Sequence, residues 1–163
     1  MQAFSRFAVR DLLIVSSTIV LWLLFGSVSA GDGLAADFVG AALGLAGGVC
    51  AWLAHEWGHL LSGRAVGATM RAPTTLKQIY LFGFDNKRNS QAQFIVMALG
   101  GFVGTALAFS FAWYGLPPDW MATRVMRGLI LLEASVTVLL EVPGLLLGIL
   151  AYDRLPSVDV LND

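Results

Sequence analysis

Charge is what this chain has least of: Lys, Arg, Asp and Glu make up 13% of its 163 residues, against roughly 25% in ordinary soluble domains. Hydrophobic residues reach 57%, and the mean hydropathy is +0.74. So few charges cannot cover the surface of a water-soluble domain this apolar, which points to a membrane protein. A net charge of −1, with no interleaved basic and aromatic residues, excludes nucleic acid as a partner. Cysteine is nearly missing as well. Cys50 stands alone, so there is no disulfide framework, and in its apolar run it reads as a small core hydrophobe. It lies five residues before His55, about 140° round a helix, and is not an expected ligand.

Histidine is just as scarce, and its placement is informative. The only two, His55 and His59, fall four apart in the run His55-Glu56-Trp57-Gly58-His59, inside a long apolar stretch. Four helical residues turn through about 400° and rise about 6 Å, so both imidazoles leave one face within reach of a single ion. This is the H-E-x-x-H pattern, with two ligands for Zn²⁺ and a glutamate placed to take a proton from activated water. His55 and His59 are the expected metal ligands, and Glu56 is the expected general base.

The apolar sequence divides into four candidate spans. Residues 12–30 are uncharged and follow Arg6 and Arg10. Val28-Ser29-Ala30 resembles a signal-peptide cleavage site, but the stretch is longer than a typical signal core, so a retained span is expected. The second span, 38–63, carries the histidines. Gly40, Gly44 and Gly48 share their face, which predicts close helix contact there and keeps the imidazoles out of lipid. The third, 92–116, has Gly100, Gly101 and Gly104 as its contact face, and the fourth is 128–152. The expected fold is an all-α polytopic membrane protein, with residues 1–163 forming one integral domain in the lipid bilayer.

Residues 64–90 interrupt the apolar pattern with Arg64, Arg71, Lys77, Lys87 and Arg88. By the positive-inside rule this loop is cytosolic, as are the Arg6/Arg10 end and the Arg154 tail, leaving Arg124 and Arg127 outside. Both termini are therefore expected in the cytosol, at a bacterial inner (plasma) membrane. Within the loop, Lys77 to Phe84 is apolar and rich in β-formers. That predicts a short membrane-associated β-segment between the second and third spans.

The fourth span contains Glu133 and Glu141. A carboxylate left in lipid costs about 2.5 to 3.5 kcal/mol on insertion scales, so each needs a partner or a function. Counting about 1.5 Å per residue from the cytosolic boundary puts the histidines roughly 7 to 14 Å deep, Glu141 roughly 18 Å and Glu133 roughly 30 Å. Glu141 is therefore the expected third ligand, with Pro143-Gly144 loosening the helix beside it. Glu133 is expected to be structural, near Arg124 or Arg127.

The run Ala54 to His59, then Gly63-Arg64-Ala65-Val66-Gly67, Leu81-Phe82-Gly83 and Ala98-Leu99-Gly100-Gly101-Phe102, resembles the site-2 protease family of intramembrane zinc metalloproteases. The order of elements is similar across residues 38–151. The resemblance implies hydrolysis of peptide bonds in or near the transmembrane segments of membrane-protein substrates. It also implies a Zn²⁺ cofactor, and a β-segment at 76–84 that holds the substrate extended. Gly100-Gly101 stand where the family has Gly-Pro, Gly104-Thr105 where it has a following Asn, and Leu140-Glu141-Val142 where it has the Asp-Gly of the third ligand. These differences leave open a second reading, an inactive structural or regulatory subunit that works with a partner membrane protein. A haem protein with His55 as axial ligand is a third reading, but it gives Glu56 no purpose.

Overall fold

Uncharged runs of this length can cross lipid only as helices, because there is no water to bond their backbone N–H and C=O groups. Four helices form: α1 (Gln2–Phe25), α2 (Leu34–Ala65), α3 (Gln91–Ser110) and α4 (Met121–Leu150). The computed structural model describes residues 2–72 and 82–155. All four helices are long and apolar enough to cross a membrane, and the chain is a membrane protein. Leucines and other large apolar side chains stand exposed along them, Leu23, Phe38, Leu139 and Leu150 among them. Such a surface suits contact with lipid.

Helix bounds differ from the expected spans where a charge finds a partner. α1 begins well before residue 12 because Asp11 is accommodated inside it. Its buried carboxylate accepts bonds from Arg10 Nε at 2.7 Å and from Trp57 Nε1 of α2 at 2.9 Å. α4 begins at Met121 rather than at residue 128. Arg127 fits within it by reaching the carbonyls of Ala112 and Trp113 at 3.0 and 3.2 Å, with its guanidinium over the Trp113 ring. Those carbonyls belong to a π-helical turn, Phe111–Gly115, which ends α3. α4 is continuous through Pro143, so the helix is not broken beside Glu141.

α2 is the central helix, touching the other three. Its glycines determine how closely. Gly40, Gly44 and Gly48 face Met121, Val125 and Leu129 of α4, as the shared glycine face predicted. On the α3 side the contact is backbone to backbone. A Cβ on Gly58 would meet the Gly100 carbonyl, and one on Gly104 would meet the Ala54 carbonyl and His55 Cα. A Cβ on Gly101 would occupy the space of the His59 ring. A small apolar core of Ala51, Ala112, Met126 and Ile130 fills the space between α2, α4 and the end of α3.

Between α2 and α3, β1 (Met70–Arg71) pairs antiparallel with β2 (Gly83–Phe84), in the register Met70 to Phe84 and Arg71 to Gly83. The β-segment expected at Lys77 to Phe84 is therefore present in part, and residues 77–81 lie outside the described residues. Polar side chains stitch its base. Buried Asp85 pairs with Arg71 at 2.7 Å, Asn89 brackets the backbone of Thr69, and Tyr152 donates to the carbonyls of Asn86 and Asn89. α3 then starts on a capping box, with Ser90 and Gln93 each bonding the other's backbone N–H.

The α2–α3 contact gives a paired prediction. Gly104→Ala puts a methyl group into backbone and should cost about 1–3 kcal/mol. Gly128→Ala on α4 enters open space and should leave stability unchanged or raised by up to about 1 kcal/mol. Thermal unfolding of the two variants in the same detergent distinguishes them.

Candidate metal centre

The four-residue spacing on α2 delivers both imidazoles to one face. Their rings stand edge to face with centroids 4.5 Å apart, and their Nε2 atoms approach to 3.0 Å. Both are buried. Glu141 comes to them from α4, with Oε1 2.9 Å from His55 Nε2 and Oε2 3.3 Å from His59 Nε2. One ligand atom from each of the three residues lies within 4.8 Å of the others, an arrangement able to hold a metal ion. All three expected ligands are therefore brought together.

The outward nitrogens are satisfied separately. His59 Nδ1 lies 2.9 Å from the carbonyl of Met97 on α3. A carbonyl can only accept, so Nδ1 carries the proton, and Nε2 is the nitrogen turned toward Glu141 and His55. His55 Nδ1 lies 2.9 Å from Thr105 Oγ1, also on α3. The Thr105 hydroxyl in turn donates to Glu133 Oε1 at 3.3 Å.

That last contact corrects the expectation for Glu133. It does not sit with the arginines, since Arg127 is taken by α3 carbonyls; it is two hydrogen bonds from the centre. The depth count failed because it compared backbone positions alone. Glu141 and Glu133 are eight residues apart on α4, about 12 Å along the axis. An imidazole with nitrogens on opposite edges, extended by a threonine hydroxyl, covers much of that distance.

Glu56 lines a cleft of about 560 Å³ between α2 and α4, together with His55, Glu133 and Glu141. Farther along, the walls are apolar, formed by Leu45, Val49, Leu129 and Leu132. The Glu141 side chain is 35% exposed while those of His55 and His59 are at 3% and 10%. The cleft therefore meets the cluster at its carboxylate, with the imidazoles sealed behind. Phe82, next to β2, sets its ring 5.9 Å from that of His59 and covers it from the hairpin side. A separate, almost wholly apolar cavity of about 440 Å³, walled by α1, α2, the end of α3 and Met126 of α4, contains none of these residues.

Sequence reasoning missed Thr105, the Met97 carbonyl, Phe82 and Asp11. One of these left a signal: Asp11 opens the first apolar run with a charge that needs a partner.

No family model, curated protein or solved structure matches this chain.

A ligand cluster of this kind should bind one divalent ion per chain. His59→Ala or Glu141→Ala should each weaken that binding by at least tenfold, read by metal analysis after dialysis against a chelator. Retention of full affinity by Glu141→Ala would remove it from the ligand set.

Proposed function

We propose that this protein is an intramembrane zinc metalloprotease of the site-2 protease type, cleaving peptide bonds in or near transmembrane segments of other membrane proteins. The observation that carries this reading is the meeting of Glu141 with His55 and His59 beside Glu56, at the end of an apolar cleft. Two imidazoles and one carboxylate suit Zn²⁺, whereas Mg²⁺ and Ca²⁺ take oxygen ligands. The donor separations of 2.9, 3.0 and 3.3 Å are close to the spacing of about 3.3 Å that tetrahedral bonds of about 2.0–2.1 Å require.

Zinc, when bound, supplies Lewis acidity that polarises a carbonyl and makes water nucleophilic near neutral pH. The chain's own residues do the rest. Glu56 takes the proton of the attacking water and returns it to the leaving amine. A helical substrate has its peptide groups bonded internally and must be extended before its carbonyl is accessible. The apolar cleft walls hold its side chains, and the outer edge of the β1–β2 hairpin offers main-chain pairing. Both termini and the basic hairpin face the cytosol in this reading. The Asp11–Trp57 bond, which ties α1 to the motif helix, supports a retained first span.

The alternative, an inactive subunit of the same fold, is separated from the enzyme by one variant. Glu56→Gln should bind zinc and unfold like the wild type, yet lose at least a hundredfold in cleavage of a reconstituted transmembrane substrate. Cleavage at the wild-type rate by Glu56→Gln would end Glu56's role as base. Absence of cleavage by a zinc-loaded wild type across a panel of transmembrane substrates would favour the subunit.

A further inference from the structure

We infer that Glu133, acting through Thr105, is a positioning residue that holds His55 in the one tautomer able to bind a metal; this rests on the metal-site reading above. The two histidines differ in how their outer nitrogens are held. Met97 gives His59 a carbonyl, which settles the proton on Nδ1. Thr105 gives His55 a hydroxyl, which settles nothing by itself, because a hydroxyl can accept from Nδ1–H or donate to a bare Nδ1.

The second choice disables the site. A ring that accepts at Nδ1 carries its proton on Nε2, the atom that faces His59 Nε2 at 3.0 Å and Glu141 at 2.9 Å. An N–H pointed there has no lone pair for an ion.

Glu133 removes the ambiguity. Its Oε1 lies 3.3 Å from Thr105 Oγ1, and when ionised it can only accept. The hydroxyl proton therefore turns toward Glu133, and the Thr105 lone pair turns toward His55 Nδ1–H. The bonds run in one direction, from His55 to Thr105 to Glu133, and leave Nε2 as the nitrogen turned to the ion's place beside Glu141. α4 thus supplies both sides of one imidazole: Glu141 meets the inner nitrogen, and Glu133 orients the group on the outer one. This also accounts for a second acid in an apolar span, where a carboxylate without work would be costly. Outer partners of ligating histidines commonly act in this way, through a carboxylate, a carbonyl or a water.

The test uses the full chain in detergent, with zinc affinity read by chelator competition and the His55 tautomer by imidazole nitrogen NMR of the metal-free protein. Glu133→Gln, whose amide can donate to Thr105, and Thr105→Val should each weaken zinc binding by about 10- to 100-fold. The double variant should be no weaker than either single one, because both break the same chain. Thr105→Ser keeps the hydroxyl and should bind like the wild type. In Glu133→Gln the proton on His55 Nδ1 should be lost, with Thr105 donating to that nitrogen instead. Wild-type affinity with an unmoved proton in Glu133→Gln overturns the inference, as does a double variant whose loss equals the product of the single losses. If the wild type takes up no zinc, the metal-site reading fails, and the tautomer measurement alone decides the role of Glu133.

Discussion

Two imidazoles inside a helix bundle present four largely buried ring nitrogens, and the site is organised by how those nitrogens are satisfied. Each is a strong polar group, and a buried one left without a partner costs about 1–3 kcal/mol. The outer pair is met by α3, through the Met97 carbonyl and the Thr105 hydroxyl. The inner pair is left to converge on Glu141. That division is possible only because α3 lies almost against the backbone of α2. Gly58 and Gly104 leave no room for a side chain between the two helices, and Gly101 gives way to the His59 ring. The glycines and the histidines thus form one device: close contact seals the imidazoles and brings their acceptors within bonding distance.

The parts of this legible in sequence were those governed by local geometry. Spacing on a helix placed His55 and His59 on one face, and apolar length gave four spans. Insertion cost marked Glu141 as an acid in need of a partner. What was not legible depends on pairing between helices. Thr105 looks like any threonine in an apolar helix until α3 is set against α2. A main-chain carbonyl such as that of Met97 has no sequence signature at all. Asp11 and Arg127 shifted helix bounds because each found bonds across the bundle, Asp11 to Trp57 and Arg127 to the carbonyls freed at the end of α3. Glu133 was misplaced because depth along one helix axis ignores the reach of intervening side chains.

Trp57 shows how the motif extends beyond its ligands. It stands between Glu56 and Gly58 on α2, and its indole N–H bonds the Asp11 carboxylate, itself held by Arg10. An indole N–H inside a bundle needs an acceptor, and so does a buried carboxylate need a donor. Each residue satisfies the other, and α1 is thereby fixed to the same helix turn that carries Glu56. α3 fixes the ligands and α1 fixes the turn between them, so the motif helix is held from two sides.

The acid that α4 brings to the two imidazoles is a glutamate, Glu141, followed by Val142, rather than a shorter aspartate. The continuous course of α4 fits the longer acid. α4 stays helical through Pro143, and the carboxylate reaches the imidazoles by its side chain. The additional methylene supplies that reach and lets the two oxygens divide, one toward each histidine. An unbroken α4 also keeps Glu133 and Glu141 in fixed register two turns apart, so that one helix can reach both edges of the same ring.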